Sequence, residues 1–184
     1  MKERGVIFNG EMVRAILHGR KTQTRRPIKW KQTRFTEIGE REDGSNWPWS
    51  EDAEHACDFW HPCPFGAVGD RIWVRETWAS GLSTKSTLAY RATHKREDLE
   101  DGFYDTIKWT PSIHMPRWAS RILLEITNVR VERLQSITLG DICKEVGCGL
   151  YDFRPATYGF QVWEELWKSI YGAENWQANP WVWV

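Results

Sequence analysis

Apolar and polar positions at the start of the chain predict a strand followed by a short amphipathic helix. Residues 6 to 8 are a short apolar run typical of a buried strand. Asn9 can then cap a helix whose apolar face consists of Met12, Val13, Ile16 and Leu17. Gly19 follows where a helix end favours a left-handed residue. Residues 21 to 26 predict an extended segment, which Pro27 ends.

The middle of the chain predicts strands separated by two long insertions. Residues 30 to 66 and 93 to 108 show no sustained apolar period, so we expect loop insertions there. A turn at residues 66 to 70 leads into a strand at 71 to 78, and residues 88 to 91 predict another. The longest strand is expected at residues 121 to 131, where Ile122, Leu124 and Ile126 share one face.

Two further helices and a closing strand are predicted near the end. Thr138 can cap a helix that Gly147 ends, and its apolar face consists of Leu139, Ile142, Cys143 and Val146. A second helix ends at Gly172. It is predicted from the apolar residues that recur at helical spacing, Phe160, Trp163, Trp167 and Ile170. A short strand at 181 to 184 follows Pro180. Several strands with a few short helices predict an α+β fold with a β-barrel-like core, in one domain over residues 1 to 184.

Composition favours a soluble intracellular protein with a packed core. The chain has 184 residues, of which 41% are hydrophobic, enough to bury a real core. No run of 18 apolar residues exists, so no membrane partner is expected. The start of the sequence does not resemble a signal peptide. The four cysteines are too scattered for a disulfide framework, which predicts free thiols in the cytoplasm. The sequence leaves the oligomeric state open.

Net charge of zero conceals two opposite blocks. Residues 1 to 34 contain ten Lys or Arg against two Glu, a local charge of +8. Residues 35 to 62 contain eight acidic residues against one Arg, a local charge of −7. Blocks of this kind predict a basic face and a separate acidic one, which can bind a partner or simply attract each other.

The most informative polar run is residues 19 to 26. In an extended chain alternate residues share a face, so Lys21, Gln23 and Arg25 lie on one side. The other side carries Thr22, Thr24 and Arg26, and local twist after the helix can bring Lys21 and Thr24 together. The segment is therefore either a ligand site or a solvated basic strand.

Two other runs contain candidate ligand contacts, each with a structural alternative. Arg75, Glu76 and Trp78 belong to the strand predicted at residues 71 to 78. Glu76 can bond a base edge or form a structural ion pair, and Trp78 can stack on a base or belong to the core. His114 and Arg117 flank a bend, where Arg117 can clamp a phosphate and His114 can be purely structural.

Metal and cofactor chemistry is not expected. The cluster of His55, Cys57, His61 and Cys63 has ligand types that suit zinc, but its spacing fits no strong zinc signature and no second Cys-rich half follows.

Four motifs together resemble the ASCH domain family of the PUA-like superfamily, in the longer form often carried by phages and prophages. The opening motif is Gly19-Arg20-Lys21-Thr22-x-Thr24-x-Arg26, and the strand motif is Val68-Gly69-Asp70-x-Ile72-x-Val74-x-Glu76-Thr77-Trp78. The helix motif is Leu134-Gln135-x-Ile137-Thr138-x-x-Asp141-x-x-x-Glu145-x-Gly147, and the closing strand is Asn179-Pro180-Trp181-Val182-Trp183-Val184. Residues 111 to 121 also match the longer members.

The resemblance implies a PUA-like β-barrel with flanking short helices and a groove for RNA or a modified nucleoside. One branch of the family is an amidohydrolase that deacylates acetylcytidine, and its functional residues match Lys21, Thr24 and Glu145 here. The ligand-binding residues expected beside that site and in the other two runs are Arg20, Thr22, Arg25, Arg26, Arg75, Glu76, Trp78, His114 and Arg117.

The implied amidase chemistry assigns one role to each of the three residues. Thr24 is the nucleophile, Lys21 the base with a pKa lowered among the neighbouring arginines, and Glu145 orients the lysine or shuttles a proton. Three alternatives stay open: a non-catalytic RNA-binding module, a ribonuclease, and a phage-related protein-interaction domain.

Overall fold

The computed structural model of the chain describes residues 1–29, 36–52, 57–80, 88–94, 107–149, 152 and 155–184. The fold is α+β, as predicted. Its strands are β1 (Glu3–Ile7), β2 (Arg26–Pro27), β3 (Thr36–Glu40), β4 (Asn46–Asp52), β5 (Cys57–Trp60), β6 (Arg71–Arg75), β7 (Trp78–Ser80), β8 (Leu88–Tyr90), β9 (Leu123–Glu125), β10 (Val131–Arg133) and β11 (Trp181–Trp183). Its α-helices are α1 (Gly10–Leu17), α2 (Leu139–Val146), α3 (Ala156–Tyr171) and α4 (Ala173–Gln177). Short 3-10 helices span Ser112–His114, Arg117–Ala119 and Leu134–Ser136.

The first sheet has the order β1-β6-β9 and packs its inner face against α1. β1 runs parallel to β6, and β9 runs antiparallel to β6. Ile72 and Val74 alternate inward from β6 and are buried. They pack with Val6, Phe8 and Val13, so α1 covers one end of this core.

The second sheet has the order β10-β11-β2 and forms a separate core with α2 and α3. Trp163 and Trp167 are buried on α3 and pack against Ile142 of α2 and Val182 of β11. Both predicted helix ends are present: the Thr138 side chain accepts from the Asp141 N–H, and Gly147 is left-handed at φ 83°. These local signals fix the position of α2 against the sheet.

The described residues 36–52 and 57–60 form a third sheet where a loop was predicted, so that prediction is wrong over these residues. β3, β4 and β5 form an antiparallel meander. The first turn is closed by the Arg41 N–H to Ser45 carbonyl bond, with Gly44 at φ 78°. The Trp47 ring meets Trp183 of β11 edge-to-face at 5.0 Å, which ties this sheet to the second one.

The predicted strand at residues 121 to 131 is interrupted. β9 covers three residues, and the chain then leaves the first sheet. The Ile126 N–H donates to the Asp70 carbonyl and the Ile126 carbonyl accepts from the Gly69 N–H, which ties the chain here to the turn before β6. β10 resumes in the second sheet. The predicted inward face is nevertheless correct, since Ile122 and Ile126 are buried. The strand expected at 71 to 78 also divides, because β7 leaves β6 to pair with β8.

The described strands form separate small sheets and do not close into a barrel. Among the described residues, no helix has the length and apolar character needed to cross a membrane. Cys63, Cys143 and Cys148 are free thiols, as predicted for these three. Most of the expected insertion at 93 to 108 lies outside the described residues.

Candidate functional site

A cavity of about 620 Å³ opens between the first and second sheets. Its apolar lining comes from the inner face of the first sheet and includes Val6, Phe8, Ile72 and Leu124. Its polar lining comes from residues 21 to 24, from Arg26 and from residues 125 to 130. The cavity therefore offers an apolar surface facing a set of hydrogen-bonding groups, which is the usual character of a small-ligand site.

Residues 20 to 23 are held at the cavity by the ends of two helices. The N–H groups of Arg20 and Lys21 bond the Ala15 carbonyl of α1, and the Thr22 N–H bonds the Lys144 carbonyl of α2. The two helices approach closely because Gly147 has no side chain: a Cβ there would lie 2.5 Å from the Ala15 Cβ. The segment is thus positioned by backbone contacts rather than by β-pairing, which begins only at Arg26.

The Lys21 ammonium is buried with all three of its N–H donors directed at acceptors. Nζ lies 2.6 Å from the Gln23 carbonyl, 2.6 Å from the Glu145 carbonyl and 3.2 Å from Glu145 Oε1. Burial lowers the pKa of Lys21, and the charge of Glu145 opposes that shift. Since an ammonium has three donors and no acceptor, this arrangement suits the protonated form.

Glu145 lies behind Lys21 and is fully engaged with protein groups. Its Oε1 also accepts from the Arg25 N–H at 2.9 Å, and its Oε2 lies 3.5 Å from Arg25 Nη1. The Arg25 side chain is completely buried and also pairs with Glu132 at 3.0 Å and with Asp141 at 3.8 Å. Glu145 and Arg25 do not line the cavity, so their main contribution is to hold Lys21 and its neighbours.

Asp141 is the second carboxylate of this network and contacts the same segment. Its Oδ1 accepts from Gln23 Nε2 at 3.0 Å and lies 3.6 Å from Arg130. Burial alone would raise the pKa of Asp141, but hydrogen bonds from Gln23 and Thr138 and the charges of Arg25 and Arg130 hold it below its ordinary value. Lys21, Gln23 and Arg25 therefore share one side, as their alternation predicts, and that side faces α2.

Thr24 lines the same cavity as Lys21. Its side chain is half-buried, and its hydroxyl forms no hydrogen bond with any of the described residues. Thr22 is exposed and also lines the cavity. Lys21 and Thr24 are thus both part of the cavity lining, while Glu145 reaches the site only through Lys21.

The two remaining arginines of this segment differ in position. Arg26 lines the cavity, whereas Arg20 does not. The Arg20 guanidinium donates to the Gly147 carbonyl and lies 3.5 Å from His18 Nδ1. Arg20 therefore caps the end of α2.

The second group of predicted ligand contacts lies away from the cavity. Glu76 is buried, and both its oxygens accept from Arg121, at 2.9 and 3.0 Å. Trp78 is buried and meets the exposed Trp118 edge-to-face. Glu76 therefore forms a structural ion pair, and Trp78 belongs to the core.

The other three members of that group lie in the 112–119 segment or contact it. The Arg75 guanidinium donates to the Ile113 carbonyl. Arg117 pairs with Glu3 at 2.7 Å, and His114 is exposed. None of the three lines the cavity. The structure therefore brings together only the predicted residues of the 21–26 segment and Glu145.

Metal-ligating groupings are absent from the part of the chain that the structure describes, since no three His, Cys, Asp or Glu side chains there are placed to hold an ion. His55 of the predicted Cys/His cluster lies outside the described residues. Cys63 lines the cavity, and burial raises the pKa of its thiol.

Sequence reasoning missed the residues that organise the site from outside the 19–26 run. These are Glu132 and Arg130 of the second sheet region and Asp141 of α2. One signal was available, because Asp141 and Glu145 are four residues apart on a predicted helix and so face the same way. Comparisons with protein-family models, with curated proteins and with solved structures found no match for this chain.

Proposed function

We propose that this chain binds RNA or a modified nucleoside in the cavity beside Lys21 and Thr24, as a PUA-like domain of the ASCH type. The main support is that the Thr24 hydroxyl, which has no hydrogen-bond partner among the described residues, lines the same cavity as Lys21. The Lys21 side chain is buried and held by hydrogen bonds. The opposite wall is apolar. A nucleobase needs both an apolar face to stack on and polar groups at its edge.

The size and lining of the cavity support a ligand of nucleoside dimensions. Its volume of about 620 Å³ lies within the roughly 300–1,000 Å³ usual for small-molecule sites. Phe8 and Trp183 contribute aromatic surface to the lining, on which a base can stack. Asn128 is exposed on the same wall, and its amide can both donate and accept at a base edge.

Lys21 serves this binding function as a positioned cation. Its three acceptors leave Nζ no free donor or lone pair in the observed arrangement. Its charge holds the backbone of residues 21 to 25 against α2, which fixes the direction in which Thr24 faces. Binding is therefore the function that the geometry supports first.

A second candidate is deacylation of an N4-acylated cytidine, favoured by the presence of both Thr24 and Lys21 in the lining of one cavity. Thr24 Oγ1 would attack the amide carbonyl carbon and transfer its proton to the neutral Lys21 amine. The C–N bond would then break, with that proton passing to the leaving N4 amine, and water would hydrolyse the acyl-threonine. Lys21 must first exchange one carbonyl partner, such as that of Gln23, and burial lowers its pKa in the direction this requires.

Calorimetric titration tests the binding proposal. Cytidine, N4-acetylcytidine and a short single-stranded RNA are titrated into the wild-type protein and into Thr24→Val. Loss of one neutral hydrogen bond should weaken binding by about two- to tenfold. Thr110→Val is the matched control, because Thr110 lies beside Trp78 and does not line the cavity. Absence of heat with all three ligands, or equal affinity of Thr24→Val and wild type, would refute the proposal.

Product analysis separates binding from catalysis. Wild-type protein is incubated with N4-acetylcytidine, and cytidine and acetate are measured. Release that disappears in Thr24→Val supports the amidohydrolase. Binding without any release leaves a non-catalytic module.

A further inference from the structure

The cations on the cavity wall are not equally neutralised. Lys21 pairs with Glu145 at 3.2 Å, Arg130 with Glu132 at 2.5 Å, and Lys144 with Asp141 at 3.8 Å. The fourth cation of the lining, Arg26, has no carboxylate partner among the described residues. Arg26 is thus the lining cation without a carboxylate partner among the described residues.

The protein contacts of Arg26 leave most of its donors unused. Nη2 donates to the Ile7 carbonyl at 2.7 Å, and Nη1 lies 3.4 Å from the Tyr171 hydroxyl. Its Nε is buried and has no hydrogen-bond partner in the described parts of the chain. The guanidinium also lies over the Phe8 ring, 5.6 Å from its centroid. Burial of a cation whose partners are all neutral is unfavourable unless the cation also contacts an anion.

We propose that Arg26 recognises a phosphate group, so that the ligand of the cavity is a nucleotide or an RNA chain rather than a neutral nucleoside. This inference rests on the proposed binding function. An arginine presents its donors in a planar fork that matches phosphate oxygens. The contact with Ile7 orients that fork from β2 and uses one of its five N–H groups.

The charge balance around the cavity agrees with a monoanionic group. The cations are Arg25, which lies behind the lining, and the four that line the cavity: Lys21, Arg26, Arg130 and Lys144. The carboxylates are Glu125, which lines the cavity, and Glu132, Asp141 and Glu145, which lie behind the lining. Among the side chains of the described residues, these five cations against four carboxylates leave one net positive charge. One phosphodiester carries the single negative charge that would neutralise it.

The same charge influences Lys21, which places the two cations in one environment. The positive charge of Arg26 is one of the causes that lower the pKa of Lys21, after burial. An anion bound at Arg26 would offset that repulsion. A phosphate-bearing ligand thus favours the arrangement in which Lys21 is charged and the 21–25 segment is fixed.

The test compares ligands that differ only in phosphate. Cytidine, cytidine 5′-monophosphate and the dinucleotide CpC are titrated by calorimetry into wild-type protein, Arg26→Gln and Arg26→Lys. The matched control is Arg133→Gln, since Arg133 also stacks on an aromatic ring, that of Trp181, and does not line the cavity. Folding of each variant is checked by its melting temperature.

Wild type should bind a phosphate-bearing ligand on the order of tenfold more tightly than cytidine, the scale of a charge-assisted contact. Arg26→Gln should lose that preference while still binding cytidine, Arg26→Lys should keep part of it, and Arg133→Gln should keep it. Preference for CpC would assign the phosphate to an RNA chain, and preference for the monophosphate to a free nucleotide.

Three outcomes would overturn the inference or its premise. Equal affinity of wild type for cytidine and for both phosphate ligands removes the inference but leaves the nucleoside site. An equal loss of preference in Arg133→Gln and Arg26→Gln would mean that bulk charge, not contact, is responsible. Failure of every ligand to bind removes the proposed function itself.

Discussion

Replacement of Lys21 by methionine should strongly destabilise the fold. The Lys21 and Glu145 side chains are only 2% and 4% exposed, so the substitution leaves a buried carboxylate and two carbonyls without Nζ. Removal of one partner of a buried ion pair typically costs about 3–5 kcal/mol. Arg25 still donates to Glu145 at 2.9 Å, which places the expected cost near the lower end, at about 3 kcal/mol.

Urea unfolding and thermal melting measure this cost. Lys144→Met is the matched control, because Lys144 is a 56% exposed lysine whose pair with Asp141 spans 3.8 Å, so its loss should cost at most about 1 kcal/mol. For a chain of this size, Lys21→Met should lower the melting temperature by about 6–12 °C. In Lys21→Met/Glu145→Gln the two costs should be less than additive. A Lys21→Met variant as stable as Lys144→Met would refute the buried pair.

Three other perturbations test the surroundings of the site. The lowered pKa of Asp141 means that its contribution to stability is present above its unfolded pKa of about 3.9 and lost as pH falls through the lower folded value. Asp141→Asn should therefore flatten the acid limb of stability against pH; an unchanged slope contradicts this. Gly147→Ala should lower the free energy of unfolding in urea by about 2–4 kcal/mol, because the residue has a left-handed backbone and its Cβ would clash with Ala15. Gly19→Ala is the control: its φ is 69° but the space around it is open, so it should cost about 1 kcal/mol. Equal losses would contradict the close approach of the two helices. Burial and the hydrogen bond with Cys143 raise the pKa of Cys148 to about 12. Alkylation of Cys148 at pH 8 should therefore be about a thousandfold slower than alkylation of an ordinary thiol. Rapid labelling of Cys148, measured by mass spectrometry, would contradict this.

Helices were predictable because their signals are local. Asn9 caps α1 by accepting from the Met12 N–H, and Gly147 ends α2 in a left-handed conformation. The apolar faces were less exact: Trp163 and Trp167 are buried, but Phe160, on the same predicted stripe, is 43% exposed. Helical spacing defines a face, whereas the width of its buried part depends on what packs against it.

Strands were less predictable because their partners are distant in sequence. The apolar alternation across residues 121 to 131 was correct, yet it does not encode that the chain moves from the first sheet to the second after β9. Similarly, the strands β3 to β5 were not predicted, because Pro48 and the acidic residues are unusual in strands. One signal was present, since Asp43-Gly44 is typical of a hairpin turn.

The site was predictable in its centre and not in its support. Alternation placed Lys21, Gln23 and Arg25 on one side, and the helix motif supplied Glu145. The partnership of Arg25 with Glu132, more than a hundred residues away in sequence, had no local signal. Glu76 resembled a ligand contact because a buried glutamate and a binding glutamate look alike until Arg121 is placed beside it.

Indole signals in a ¹⁵N NMR spectrum test the location of the ligand most directly. Trp183 lines the cavity, whereas Trp118 belongs to the 112–119 segment, is 69% exposed and does not line the cavity. Each signal is assigned by substitution with phenylalanine, and N4-acetylcytidine and a short single-stranded RNA are titrated in turn. We predict that the Trp183 indole shifts on addition of at least one ligand and that Trp118 does not. A shift of Trp118 with Trp183 unchanged, or no shift of either, would contradict a binding site between Lys21, Thr24 and the apolar wall.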